Sequence, residues 1–425
     1  MRVVKLNSMD SSGGAARAAI RLHQGLQDIG VDSRVIVQTK TASNSNVFGP
    51  TGKLANTIAS TRLLLDQVPV IPHWKHSNGV FAPGWLPGRA WHRANAMNPD
   101  IIHLHWITKA FVSIRNLARL NAPLVWTMHD MWAFTGGCHY DLGCDRFRSH
   151  CGACPVLGSS RPHDLSYRVF SRKKAAWENL NLTVISPSKW LADCVRDSVL
   201  LRSFHVEVIP NGIDLELFFP REMQAARDHF SLPAHEKLVL FGAMNSDRDG
   251  RKGYAYLKEA LQRTAESGWH NNVRAIIFGA NAPAEIPDLG IPVQYMGHLS
   301  DDRELATLYS AADVFVAPSI QDNLPNTVME ALACGTPCVA FNIGGLPDMI
   351  IHGKNGYLAR PYESSDLSKG IAWVLGNEER RLSLSGKARQ KAEMTFNIKD
   401  IARQHLTLYE ELLDRKHAHK TGSMV

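Results

Sequence analysis

PSIQDNLPNTVMEALACGTP, residues 318–337, decides the reading of this 425-residue chain. It holds two carboxylates, Asp322 and Glu330, eight residues apart, separated by the polar turn Asn323-Leu324-Pro325-Asn326. An apolar run, Val314-Phe315-Val316-Ala317, precedes it and predicts a strand; Thr327–Cys334 predicts a helix that stops at Gly335-Thr336-Pro337. One acid therefore sits on the loop at a strand's carboxyl end and the other inside the next helix. Open α/β sheets bind ligands there, where a helix's first turn offers N–H groups and the positive end of its dipole to an anion. The plainer alternative is a strand–turn–helix unit carrying ordinary solvated acids.

Outward from this block, short apolar runs alternate with amphipathic stretches, the pattern of parallel sheets covered by helices. A first series predicts strands at Arg2–Leu6, Ser33–Gln38, Ile101–His105, Leu124–His129 and Leu182–Ser186, with a helix over Ala15–Gln27. A second series has Lys237–Phe241, Arg274–Phe278, Val293–Tyr295, Val314–Ala317, Cys338–Phe341 and Gly356–Leu358. Between them, residues 208–220 (VIPNGIDLELFFP) carry the breakers Pro210, Asn211 and Gly212 and read as a linker. The expected organisation is an α/β protein with two Rossmann-like domains, 1–207 and 221–395, then a C-terminal helical segment 396–425. Its polar tail, Lys416–Val425, is expected to fray.

Length favours two cores over one. Hydrophobic content of 44% and charge of 20% are those of a globular protein. No apolar run reaches the ~18 residues of a transmembrane helix, and MRVVKLNS lacks the apolar core of a signal peptide. A cytoplasmic location is therefore expected. Net charge of +7 and a pI near 9.0 point to anionic partners. Nucleic acid is set aside, because no binding motif and no basic stripe interleaved with aromatics is present.

Three further loops carry chemistry. Asp10-Ser-Ser-Gly13-Gly14-Ala15 joins the first strand to the first helix, where glycines let backbone amides approach a ligand. It is not G-x-G-x-x-G, so a dinucleotide oxidoreductase is a weak reading. Thr127-Met-His129-Asp130 ends a strand, a good position for a site histidine, whereas His103 and His105 read as structural or acceptor-side. Phe241-Gly242-Ala243 ends a strand of the second series, and Arg251-Lys252-Gly253 opens the next helix, where a cation suits a diphosphate.

Together these motifs resemble the retaining nucleotide-sugar glycosyltransferases of family 4, above all bacterial enzymes of exopolysaccharide and colanic acid synthesis. The block at 318–337 is similar to their E-x7-E signature, with Asp322 replacing the first Glu. The resemblance covers roughly residues 1–415. It implies the GT-B fold, two Rossmann-like domains facing each other across a cleft, with the last helix crossing back to the N-terminal domain. It implies that Gly13 and Gly14 lie near donor and acceptor, that His129 touches the donor sugar and that Lys252 meets the diphosphate. Asp322 would hold sugar hydroxyls, Glu330 the ribose hydroxyls, and the backbone at Asn323 and Leu324 would add donors. The family's usual arginine is missing at Ala243, which leaves Arg248 or Arg251 to replace it. The implied partners are a UDP- or GDP-linked sugar and a glycan or lipid-pyrophosphate acceptor. Retention by a front-side mechanism is implied, with no cofactor for catalysis. Asp247-Arg248-Asp249 matches a D-x-D metal motif by coincidence, since positive side chains take the metal's place in this fold.

Cys138, Cys144, Cys151 and Cys154 crowd an excursion at 136–158. Four thiolates, two at C-x2-C spacing, predict a structural zinc site; reduced thiols or a redox pair are the alternatives. Two stretches mix cations with apolar residues, 161–174 and 59–91, and predict peripheral contact with an anionic membrane at its inner face. The competing functional classes are a non-catalytic nucleotide-sugar sensor and a GT-B phosphorylase or epimerase.

Overall fold

The computed structural model describes residues 1–41, 44–50, 52–74, 77, 79–242, 249–269 and 272–422. The chain forms two compact units, Met1–Gly212 with Ile398–Val425, and Ile213–Asn397. The division falls inside 208–220, whose first five residues stay with the first unit.

The first unit is built on seven parallel strands: β1 (Arg2–Leu6), β2 (Asp32–Ile36), β3 (Val47–Phe48), β4 (Ile101–Leu104), β5 (Leu124–Thr127), β6 (Leu182–Ser186) and β7 (His205–Val208). Their order is β3-β2-β1-β4-β5-β6-β7. The central strands are continuous runs of branched apolar residues, because helices cover both faces and neither side meets water. Every residue of β4, β5 and β6 is buried. The final helix, Ile398–Gly422, belongs to this unit and packs Ile401, Ala402, Leu408 and Tyr409 into one cluster with Val3, Leu22 and Leu26. It remains helical to Gly422, through most of the tail that the sequence predicts to fray.

The second unit holds six parallel strands: β8 (Lys237–Gly242), β9 (Val273–Phe278), β10 (Val293–Tyr295), β11 (Val314–Ala317), β12 (Cys338–Phe341) and β13 (Gly356–Ala359). Their order, β10-β9-β8-β11-β12-β13, repeats that of the first six strands of the other sheet. In each sheet the chain reverses its direction of travel at one place, between β1 and β4 and between β8 and β11. Loops leaving the two strands there splay apart and open a crevice at their carboxyl ends. Of the described residues singled out from sequence, Gly13 and Gly14 follow β1, His129 follows β5, Arg251 and Lys252 follow β8, and Asp322, Asn323, Leu324 and Glu330 follow β11.

Candidate active site

In the second unit the loop after β8 folds onto the loop after β11. Gly253, the N-cap of the helix Tyr254–Thr264, has φ +71, and a Cβ there would sit 1.9 Å from the Pro318 carbonyl oxygen. Only glycine allows both the left-handed turn and that approach. The Ile320 N–H donates to the Arg251 carbonyl (2.9 Å) and Arg251 Nη1 donates to the Gln321 carbonyl (2.7 Å). These contacts carry Lys252 to Asp322, 70 residues away, with Nζ 2.7 Å from Oδ2.

Asp322 is buried, and its carboxylate also meets Arg251 Nη1 at 3.3 Å and accepts from Ser319 Oγ at 3.3 Å. Burial alone would raise its pKa. The Lys252 and Arg251 charges overcome that and hold the carboxyl well below the usual range, so it is ionised at neutral pH. The two cations differ. Arg251 is only 13% exposed and is also clamped by Asp249 Oδ2 at 2.9 Å, whereas the Lys252 side chain is 32% exposed. Lys252 is the cation able to turn toward an incoming anion, while Arg251 fixes the acid.

Of the two backbone donors expected at Asn323 and Leu324, the structure shows a partner for the first. The Asn323 N–H is spent on Asp322 Oδ1 (3.0 Å), and Leu324 packs into the apolar core of this unit. Glu330 lies in the helix Asn326–Ala333 and is buried, accepting from the Tyr309 hydroxyl at 3.0 Å. Arg248 and position 243 lie outside the described residues. Tyr309 was not legible as a site residue, because nothing in its spacing separates it from an ordinary core aromatic. Ser319 stands beside the signature without being part of it.

The first unit places its residues differently. Gly13, with φ +89, caps the helix Gly14–Asp28 without any side chain, and Gly13 and Gly14 are both exposed. His129 lies just past β5 and its Nε2 shares a hydrogen bond with His105 Nδ1 (3.0 Å). The His105 ring stacks at 4.3 Å on His103, which bonds Thr127 Oγ1 (2.8 Å) and the Tyr409 hydroxyl (2.7 Å). Burial pulls His129 down to about 4, against the pull of Asp130. His103, His105 and the buried Lys5 are lowered well below their ordinary values by the same cause. This is an array of neutral rings.

Beside it lies a pair not expected from sequence. Asp130 Oδ2 meets His139 Nδ1 at 2.6 Å and accepts from Trp106 Nε1 at 2.8 Å. A narrow pocket is lined by His105, Trp106, Trp126, His129, Asp130 and Trp132. His139 directly follows Cys138 in the cysteine-rich excursion.

Cys138, Cys151 and Cys154 are buried and Cys144 half-buried, all as free thiols. A hydrogen bond from Cys138 holds Cys154 down at about 7. Cys151 Sγ instead accepts the Gly136 N–H at 3.1 Å, and burial pushes its thiol up to about 12. Among the described residues no three His, Cys, Asp or Glu side chains form a group able to hold a metal ion. Spacing brings the four cysteines into one excursion, where their thiols interact with one another.

Two Rossmann-ordered sheets with a cation pair and a buried acid at the second switch point are the architecture of a GT-B glycosyltransferase. Residues 12–217 match the family model "Glycosyltransferase Family 4" and residues 226–391 match "Glycosyl transferases group 1". The chain belongs to the family 4, group 1 glycosyltransferases. It is 29% identical over 366 residues to a D-inositol 3-phosphate glycosyltransferase of Xylanimonas cellulosilytica, covering 80% of this chain and 78% of that one. It is 23% identical over 361 residues to Escherichia coli K12 WcaC, provisionally named a colanic acid biosynthesis glycosyl transferase, over 80% and 83% of the two chains. The fold is shared with sucrose-phosphate synthase of Thermosynechococcus elongatus (TM-score 0.68, 20% identity, 98% of this chain and 100% of that one). It is also shared with Anabaena HepE solved with UDP and glucose (TM-score 0.64, 18% identity, 96% and 99%). No helix of the described residues is long and apolar enough to cross a membrane.

Proposed function

We propose that this protein is a retaining, metal-independent hexosyltransferase that moves a sugar from a UDP- or GDP-linked donor to a glycan or lipid-linked oligosaccharide in bacterial surface polysaccharide synthesis, working in the cytoplasm at the inner face of the cell membrane. The observation that carries the reading is the pairing of Lys252 and Arg251 with the buried, ionised Asp322 at the second switch point. HepE, of the same fold, is solved with UDP and with UDP-glucose, and WcaC carries the polysaccharide association.

In this reading Lys252 swings from Asp322 to the donor diphosphate and stabilises the charge that grows as the anomeric C–O bond breaks. Arg251 keeps Asp322 in place to accept from sugar hydroxyls, and Glu330 takes the ribose. No carboxylate nucleophile is identified on the sugar's opposite face. The acceptor oxygen therefore attacks from the side the diphosphate leaves, and the departing phosphate oxygen takes the acceptor's proton. The neutral His129 donates to or accepts from the donor sugar without adding charge.

The test is a thermal-shift screen of UDP-, GDP- and ADP-sugars, since a ligand bound to the folded state alone raises stability, followed by transfer with the best donor and NMR of the product's anomeric proton. Stabilisation by one nucleotide sugar and a product of unchanged anomeric configuration are expected. Binding without turnover would mark a sensor, and phosphate-dependent release of sugar phosphate would mark a phosphorylase.

A further inference from the structure

The helix Lys53–Gln67 faces the wrong way for a surface helix of a water-soluble domain. Such helices turn their apolar stripe inward. Here Leu54 is 76% exposed and Leu64 74%, and Ile58 and Leu65 are exposed as well. The opposite face is the anchored one. Asp66 is buried, the Asp66 carbonyl accepts from Trp85 Nε1 at 3.2 Å, and Arg62 donates to the carbonyls of Pro87 and Ala110. The next turn, Val68–His73, continues the exposed surface with Val68 and Ile71, and Trp74 follows at 64% exposure.

We infer that this face, from Lys53 to Trp74, lies on the surface of an anionic lipid bilayer. Charge selects that occupant. Between Gly52 and Pro99 the sequence carries Lys53, Arg62, Lys75, Arg89 and Arg93 against a single acid, the buried Asp66. Exposed leucines and tryptophan in a segment of net positive charge, led by the exposed Lys53 and with its single acid buried, suit anionic headgroups over an acyl boundary. A symmetric contact with a second copy would set the same cations against each other. The other basic stretch, 161–174, loses its claim. Its helix, Leu165–Trp177, buries Val169, Phe170 and Trp177, and Lys173 itself is buried, 3.8 Å over the Trp132 ring. The inference deepens the proposed function, and rests on it only for the lipid-linked acceptor this face would bring within reach.

Flotation of the full chain with vesicles tests it, using phosphatidylcholine alone or with about one third phosphatidylglycerol. The wild type should float with the anionic vesicles, less so as salt rises. The triple variant Leu54→Ser, Leu64→Ser, Trp74→Ser should lose about tenfold or more in partitioning, with unchanged thermal midpoint and unchanged turnover on a water-soluble acceptor. Lys53→Glu with Arg89→Glu should weaken binding to anionic vesicles alone. Equal flotation of wild type and triple variant, or a wild type that stays in solution, overturns the inference. So does a wild-type dimer that the triple variant dissolves, which would give the face to a second copy. Normal flotation without any sugar transfer would leave this surface standing and remove the proposed reaction instead.

Discussion

The two switch points share one strand order and differ in almost everything else. At the second, between β8 and β11, charge is concentrated: Lys252 and Arg251 flank an ionised Asp322, and Asp249 clamps Arg251. At the first, near β1, β4 and β5, charge is disfavoured: burial lowers the pKa of Lys5, His103, His105 and His129. The scaffold fixes where a ligand goes, and the loop residues fix what kind. An anionic diphosphate suits the charged point. A sugar, whose hydroxyls need donors and acceptors without net charge, suits neutral imidazoles.

The comparison breaks soonest at Lys252. If it meets the diphosphate, Lys252→Ala should lower kcat/KM by about 10²–10³, the loss typical of one donor aimed at developing charge. Arg251→Ala should act more through stability, since that side chain is the better buried. Gly253→Ala should mimic Lys252→Ala without touching a charge, because the added carbon strikes the Pro318 carbonyl and pushes the loop off Asp322. Steady-state kinetics beside thermal melts would separate the three. Near-normal turnover in Lys252→Ala would move the diphosphate elsewhere.

The next effect is on pH. Burial lowers His129 to about 4 and His405 to about 3. Above the ordinary histidine value both states are neutral and nothing is lost. As pH falls below about 6.5 the unfolded chain takes protons that the folded one refuses, so stability declines by up to about 2 kcal/mol per residue by pH 5. Asp322 behaves in the opposite sense. Its depressed pKa contributes stability that is complete above about 4 and is lost only on going lower. The first unit should therefore weaken in mild acid, and the second only in strong acid. Melting curves from pH 8 to 3 should show that separation, and His405→Gln should flatten the loss between about 6.5 and 5. A wild type unchanged down to pH 4 would contradict the neutral array.

Smaller again are the acids. Glu330→Gln keeps an acceptor for the Tyr309 hydroxyl and should fold normally, yet lose about tenfold in transfer, roughly 1.4 kcal/mol in the barrier. Asp322→Asn should do the same, while Asp322→Glu keeps the charge and should retain more activity. Wild-type rates in both isosteres would remove the acids from catalysis and leave the charge cluster a structural device.

What the sequence revealed follows burial. Strands such as Val314–Ala317 and Cys338–Phe341 are legible because sheets covered on both faces leave uninterrupted apolar runs. β7, His205–Val208, is an edge strand of alternating polarity just ahead of the expected linker, too short and too polar to stand out. The Lys252–Asp322 contact spans 70 residues, so local spacing flags each partner on its own loop but not their pairing. The histidine array depends on sheet register, which sets Lys5 beside His103 and cannot be counted along the chain. Lys53–Gln67 carries apolar residues on both faces, which blurred its period and hid how exposed one face is.

The smallest expected effect sharpens the contrast between a charged and an uncharged region: chelation. A zinc ion in the 136–158 excursion would place the largest local charge of the first unit beside its neutral array. The thiols argue against it. Cys138 is committed to Cys154, Cys151 to the Gly136 N–H, and Cys144 is the least buried of the four. A strong chelator should therefore leave the thermal midpoint unchanged, whereas a structural zinc would contribute its binding energy to folding and its slow removal would lower the midpoint. Cys151→Ser keeps an acceptor for Gly136 and should shift stability by about 1 kcal/mol or less without a metal. The same chelator should spare the initial rate of transfer, because Lys252 and Arg251 supply the positive charge that a divalent ion would otherwise bring to the diphosphate. One zinc per chain by elemental analysis, with a midpoint that drifts down under chelation, would mean Cys144 closes onto the other three thiols in solution and would put a fixed charge beside the neutral histidine rings.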